Sequence, residues 1–269
     1  MTGPTVFAAL HTAPGPFLLP NAWDVASGLL LADAGFPAIG TTSLGVTAAA
    51  GLPDGAGAGR DLTVALTAAL VARLPVPLTV DLEGGYADDP AEVADLAVQL
   101  ADLGVAGINL EDSRPNGQLR PAVEHAAIIR AVAAAAPDLF INARTDTYWL
   151  RTDRDQLPET LQRLAAYRDA GAAGAFTPGL SDRTAIQTVA TTIGLPLNVL
   201  WQPGVSLADL GAAGVARVST GSALYRHALT AALDAAAAAR TATTPTTRPI
   251  DYQQLQRHLR PPTAQYRDR

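Results

Sequence analysis

The chain has 269 residues, 48% hydrophobic and 16% charged, which supplies enough apolar material for a sizeable core and excludes a disordered polar chain. It has no Cys, and its 19 basic residues are all Arg, so thiolate chemistry, disulfides and a lysine Schiff base are excluded. A net charge of −6 with no basic patch argues against a nucleic-acid partner. With no signal-like N-terminus and no apolar run of about 18 residues, the expectation is a cytoplasmic protein that meets no membrane.

Short β-prone runs alternate with Ala/Leu-rich amphipathic stretches. In chain order, Phe17–Leu19 precedes a helical pattern over Val25–Ala34, Ala38–Thr42 precedes Leu62–Arg73, Leu78–Leu82 precedes Pro90–Leu103, and Gly107–Glu111 precedes Pro121–Ala135. The second half continues with Phe140–Arg144 before Leu157–Ala170, Gly174–Thr177 before Asp182–Ile193, Leu197–Leu200 before Ser206–Ala213, and Arg217–Thr220 before Ala223–Arg240. Several helical patterns end on a Gly that supplies a left-handed cap, as at Gly104, Gly171 and Gly214. Asp88-Asp89-Pro90 marks a helix start, and Ser181 or Asp182 can cap the helix after the sixth strand.

Eight such units predict a closed (β/α)₈ TIM barrel over residues 1–240 rather than an open doubly wound sheet. No Gly-x-Gly-x-x-Gly follows the first strand, which lowers a dinucleotide-binding reading. Residues 241–269 read as a Thr/Pro linker, Thr241–Pro249, and a C-terminal helical extension over Asp251–Leu259. Its apolar stripe of Tyr252, Leu255 and Leu259 needs a surface to pack on, either this barrel or a second subunit.

Barrel enzymes carry their chemistry at the C-terminal ends of strands. Asp54, Asp81, Glu83 and Glu111 come to that rim from three consecutive units. Clustered carboxylates repel unless a cation lies among them, and oxygen-only donors suit Mg²⁺ or Mn²⁺; with no Cys and no nearby His, zinc is disfavoured. Arg144 is a fixed cation suited to capturing a carboxylate or phosphonate. Asn198, on the seventh strand, can donate to a substrate carboxylate, and Tyr86, Tyr148 and Trp201 are candidates to wall the pocket. Asp54 can alternatively start a Pro-Asp-Gly turn, and Asp112 and Asp146 stand evenly between supporting arginines and joining the site.

With these residues in place the sequence resembles the isocitrate lyase/phosphoenolpyruvate mutase superfamily, over Leu18 to Ala232. The motifs are Pro20-Asn21-Ala22-Trp23-Asp24, Thr42-Ser43-Leu44-Gly45 with Asp54, Val80-Asp81-Leu82-Glu83-Gly84-Gly85-Tyr86, Leu110-Glu111-Asp112 and Ala143-Arg144-Thr145-Asp146. The resemblance implies a barrel whose last helix is often exchanged in a homodimer or homotetramer. It also implies C–C or P–C bond chemistry beside a Mg²⁺-bound α-oxo acid or its enolate. Asp81 would be the direct metal ligand, with Glu83, Glu111 and Asp54 acting through bound waters. Thr42, Ser43, Leu44, Gly45 and Arg144 would hold the small α-oxo acid, and Asp54, Glu111 and Arg144 would be the catalytic set.

The departures bear on the reaction. The superfamily's lyases carry a Lys-Arg-Cys-Gly-His loop after the fourth strand, where this chain has Ser113-Arg114-Pro115-Asn116-Gly117-Gln118-Leu119-Arg120. Asn116 is a loose counterpart of the phosphonate branch's Asn, and the mutase's strand-two Trp is Gly40 here. Three functions follow: a Mg²⁺-dependent lyase working through an enolate, a P–C hydrolase or mutase acting on phosphonopyruvate, and a non-catalytic α-oxo acid binder.

Overall fold

The computed structural model describes residues 3–150 and 155–260, so the 261–269 part of the expected extension lies outside the described residues. All eight expected strand runs form. β1 (Phe17–Leu19) and β2 (Asn21–Ala22) are followed by β3 (Ile39–Thr41), β4 (Leu78–Asp81), β5 (Gly107–Glu111), β6 (Phe140–Arg144), β7 (Gly174–Phe176), β8 (Leu197–Leu200) and β9 (Val215–Ser219). Every pairing is parallel, in the order β1-β9-β8-β7-β6-β5-β4-β3-β2.

The two ends of that order are one stretch of chain, interrupted where Pro20 has no N–H to give. Leu19 O accepts from Thr220 N (3.2 Å), and Pro20 O accepts from Gly40 N (2.9 Å), so the segment pairs with β9 through its first half and with β3 through its second. The sheet thereby closes into an eight-unit α/β TIM barrel.

The helices are α1 (Gly3–Leu10), α2 (Val25–Asp33), α3 (Ser43–Ala49), α4 (Arg60–Val71), α5 (Pro90–Leu103) and α6 (Ala122–Ala135). They continue with α7 (Thr147–Leu150), α8 (Leu157–Asp169), α9 (Arg183–Ile193), α10 (Leu207–Ala212), α11 (Ala223–Thr241) and α12 (Tyr252–Leu259). Local chemistry sets their ends. Asp24 and Ser27 form a capping box on α2, Asp89 caps α5 ahead of Pro90, and the Asp182 carboxylate, rather than Ser181, accepts from Ala185 N at 2.8 Å. Gly104 ends α5 at φ 101°, a left-handed cap that glycine takes without a steric cost.

Three helices were not foreseen: α1, α3 and α7. In α1 a single apolar side chain matters most. Phe7 is buried against Ala38, Ala106 and Phe140, which stand at the starts of β3, β5 and β6, and against Leu19, so α1 stoppers the end of the barrel opposite the strand C-termini. His11, just beyond α1, stacks on Phe140 with ring centres 4.0 Å apart and meets Phe7 O through Nδ1 at 2.9 Å.

The C-terminal extension settles on its own barrel. Arg73 donates to His258 O at 3.0 Å, His258 lies 3.6 Å from Asp33 on α2, and α12 packs against α2. By contrast α11 buries only Tyr225 and Ala238. Among the described residues no helix is long and apolar enough to cross a membrane.

Burial lowers the pKa of both His11 and His125 from 6.5 to about 3, with Arg217 and Arg120 respectively adding to the effect. The unfolded chain takes up these protons near pH 6.5 and the folded chain only near pH 3. Their contribution is therefore whole above pH 6.5 and is lost as the pH falls towards 3, at about 1.4 kcal/mol per pH unit for each histidine. His11→Phe, which keeps a ring on Phe140, is expected to flatten that slope when denaturant midpoints are measured from pH 7 to pH 4. An unchanged slope would show that His11 takes no part in acid unfolding.

Candidate active site

At the end of β3 the chain turns at Thr42 into α3, a connection too tight to show as helical periodicity in the sequence. Thr41 Oγ1 accepts from Asp81 N at 3.0 Å, and Ser43 N donates to Asp81 Oδ2 at 3.2 Å. The first strand-end carboxylate is thus fixed by the neighbouring unit. The first-turn amides of a helix have no intrahelical acceptor, so those of Leu44 and Gly45 are available as donors at the rim. Gly45 cannot be enlarged: an added Cβ would lie 2.7 Å from Trp23 Cβ and 2.8 Å from Thr42 Cγ2.

Thr42, Ser43, Leu44, Asp54, Asp81 and Arg144 line one cleft of about 90 Å³, together with Asn21, Asn109 and Trp149. Glu83 and Glu111 instead line a second cavity of about 290 Å³, with Tyr86, Ser113 and Arg120. The four carboxylates therefore divide between two spaces. Among the described residues no group of three or more Asp, Glu or His side chains closes on a single point.

The turn after β4 is strained. Glu83 (φ 50°) and Tyr86 (φ 60°) both occupy the left-handed region, where a side chain costs about 1–3 kcal/mol. Glu83 Oε2 accepts from Gly57 N at 3.2 Å, while its buried Oε1 has no partner. Tyr86 pairs its hydroxyl with that of Thr63 at 3.1 Å.

Arg144 is held from two sides. Its Nε and Nη2 grip both Asp146 oxygens at 2.5 and 2.9 Å, and Nη1 reaches Glu111 Oε2 at 2.7 Å. Burial opposes its charge, but Asp146, Glu111 and Asp81 more than offset that and raise its pKa. Asp112 is fully buried behind this group. It accepts from Asp146 N (2.9 Å), Thr145 Oγ1 (2.8 Å), Tyr167 OH (2.7 Å) and Arg163 Nη1 (3.2 Å). Asp112 and Asp146 are accordingly supports, not cleft residues.

The carboxyl groups are tuned by their surroundings. Burial pushes Glu83 up to about 7, opposed by the Gly57 amide and assisted by Asp54 and Asp81. Burial also raises Glu111, against the pull of Arg144, and raises Asp54, against a hydrogen bond from Ser43. An oxygen-only donor set that includes a buried Glu83 oxygen with no hydrogen-bond partner is chemically suited to a hard divalent cation.

Two expectations are placed elsewhere. Asn198 is 1% exposed and does not line the cleft; it lies in the barrel interior beside Arg217, its register neighbour on β9. Trp149, which is 57% exposed, walls the cleft where Tyr148 and Trp201 were expected, while Tyr86 does line the larger cavity. The Ser113–Arg120 loop is a small hairpin in which Ser113 bridges Leu119 and Arg114 N donates to Gln118 O at 2.9 Å. Asn116 spends its carbonyl on Gln118 N, at 3.0 Å within that hairpin, and Ser113 gives its hydroxyl to Glu111. Asn109 was missed as a site residue because it lies two positions inside an apolar strand run.

The family profile described as phosphoenolpyruvate phosphomutase matches residues 7–240. The chain belongs to this family, within the isocitrate lyase/phosphoenolpyruvate mutase superfamily. An uncharacterized protein from Mycobacterium tuberculosis is 47% identical over 86% of this chain and 88% of its own length. A 2-methylisocitrate lyase from Bacillus subtilis is 33% identical, over 71% of this chain and 64% of that enzyme. The crystal structure of a provisionally named lyase/mutase from Burkholderia cenocepacia superposes with a TM-score of 0.86 at 38% identity, covering 95% of this chain and 94% of the other. The chain is an enzyme of this superfamily's type.

Because Glu83 titrates near 7 and a cation needs its charged form, divalent-cation binding is expected to strengthen as the pH rises from 6 to 8, with uptake of the cation releasing a proton. Calorimetric titration of Mg²⁺ into the protein and into Glu83→Gln checks this. The variant should lose the part of the pH dependence that Glu83 supplies, leaving that of Glu111 and Asp54; equal profiles would remove Glu83 from the cation site.

Proposed function

We propose that this chain is a Mg²⁺- or Mn²⁺-dependent lyase that binds a small α-oxo or α-hydroxy acid and breaks or makes a C–C bond through an enolate. The observation that carries this is the convergence of Asp81, Arg144 and the Thr42–Leu44 turn on one cleft at the strand C-termini; Gly45 packs behind it against Trp23 and Tyr225. The family membership supports it, as does the relative named 2-methylisocitrate lyase.

Asp81 holds the cation, with Glu83, Glu111 and Asp54 acting through water. When bound, the cation supplies electrostatic stabilisation of charge developing on the substrate oxygens. The chain's own residues do the rest. Nε of Arg144 is committed to Asp146, but Nη1 and Nη2 each retain one N–H for a substrate carboxylate. The amides of Leu44 and Gly45 orient that carboxylate. Asp54, hydrogen-bonded to Ser43, takes the hydroxyl proton of an α-hydroxy acid. The C–C bond electrons then pass to the departing carbon, which is protonated by water beside the short hairpin, where no thiol stands. P–C cleavage of phosphonopyruvate is the second reading, favoured by the family description.

Asp81→Ala is expected to abolish Mg²⁺-dependent turnover of oxaloacetate-like or methylisocitrate-like acids, and Asp54→Asn to lower kcat by about 10²–10⁴-fold. Full activity in Asp81→Ala would sink the cation reading. Phosphorus NMR of phosphonopyruvate distinguishes the P–C reaction, and binding without product in either assay would leave the chain an α-oxo acid binder.

The proposed assembly is a homodimer or homotetramer built on α11, which leaves Leu229 49% and Leu233 73% exposed on a helix with few contacts to its own barrel. Light scattering after size exclusion should give a multiple of the 27.7 kDa chain mass, and Leu229→Glu with Leu233→Glu should return it to the monomer. A monomeric wild-type chain would refute the assembly.

A further inference from the structure

Below the cleft the barrel interior is polar where the strand sequence reads as apolar. Arg217, on β9, is fully buried. Its Nη2 donates to Asn109 Oδ1 at 2.9 Å, its guanidinium carbon stands 5.9 Å from the centre of the Phe7 ring, and Nε and Nη1 have no hydrogen-bond partner. Among the described residues it makes no ion pair with a carboxylate. Asn142 donates to the same Asn109 oxygen at 2.8 Å.

These contacts fix which way the Asn109 carboxamide points. A guanidinium has five donors and no acceptor, so only the oxygen of the amide can face it. The second donor, from Asn142, engages that same oxygen. The amide nitrogen is thereby turned away from Arg217, and Asn109 lines the cleft beside Asp81, its register partner on β4.

We propose that Arg217 is a positioning residue that locks the Asn109 carboxamide with its N–H groups toward the cleft, where they donate to a carbonyl or carboxylate oxygen of the bound acid. Burial lowers the pKa of Arg217 to about 9, against the pull of Asp81, so the guanidinium is protonated at neutral pH and remains donor-only. A neutral Gln or a Met at this position would not impose the same orientation. This inference rests on the α-oxo acid reading given above.

The test uses oxalate, a planar mimic of a pyruvate enolate, titrated calorimetrically into the full chain with Mg²⁺ present, alongside thermal unfolding. Asn109→Asp is the informative variant because its two effects run in opposite directions. The new carboxylate pairs with Arg217, so Tm is expected to hold or rise and Mg²⁺ binding to hold or tighten. Oxalate binding is expected to weaken by at least about tenfold, since an acceptor replaces the donor. Arg217→Gln offers both donor and acceptor and frees the Asn109 amide to turn, so it should weaken oxalate binding while leaving Mg²⁺ binding in place. If that variant does not fold, Asn109→Asp decides alone. Oxalate failing to bind the wild-type chain would overturn the α-oxo acid reading. Wild-type binding retained in Asn109→Asp would overturn this inference alone. A lowered Tm with both oxalate and Mg²⁺ binding lost would show a merely structural role and overturn it equally.

Discussion

The buried guanidinium of Arg144, gripped through two nitrogens by Asp146 and through a third by Glu111, is the contact on which the catalytic rim depends. It ties the ends of β5 and β6 together and lets carboxylates share a desolvated space. Removing one partner of such a buried pair typically costs about 3–5 kcal/mol, because the other charge is left uncompensated. The grip is itself braced from behind. Asp112 collects donors from Thr145, Asp146, Arg163 and Tyr167, so α8 reaches through to the strand ends and fixes the residue that fixes Arg144.

Two further constraints give the cleft its shape. Pro20 withdraws a donor at the midpoint of the first strand run, and the segment pairs left with β9 and right with β3, so the eight units close into a ring with Asn21 and Thr220 tied at the seam by mutual hydrogen bonds of 2.9 and 3.0 Å. At the opposite edge, Glu83 and Tyr86 sit in left-handed backbone. Glu83, in that turn, lines the larger cavity rather than the small cleft. The carboxylates are therefore arranged in two pairs, Asp54 and Asp81 on the small cleft and Glu83 and Glu111 on the larger cavity.

Much of the fold was legible because each unit carries its own signals. The alternation of β-prone and amphipathic runs found all eight strands, and Gly104 and Asp182 end and begin helices where cap chemistry says they should. The short helices α3 and α7 escaped because four to seven residues give no usable period, and α1 because one residue, Phe7, carries its packing. That Asp81 and Arg144 end apolar barrel strands was legible from position alone, since polar residues closing a barrel strand have few structural uses, whereas the Thr42–Leu44 turn was singled out only through the family resemblance. Asn198 looked equivalent by the same argument, yet it lies one layer too deep, and Asn109 takes the place at the cleft.

Composition and order determined that this chain has no thiol and no lysine, that its core is a ring of β/α units, and which acids reach the rim, because these follow from residue identity and local periodicity alone. Tertiary structure decided how the acids divide between two cavities and that Asp112 and Asp146 are braces. It also decided that Asn116 is consumed in a hairpin and that α12 seats on α2. The physical reason is the same in each case: a side chain's role depends on which groups from distant strands meet it, through hydrogen bonds and ion pairs whose partners lie tens to hundreds of residues away, as Arg217 meets Asn109 across 108 positions.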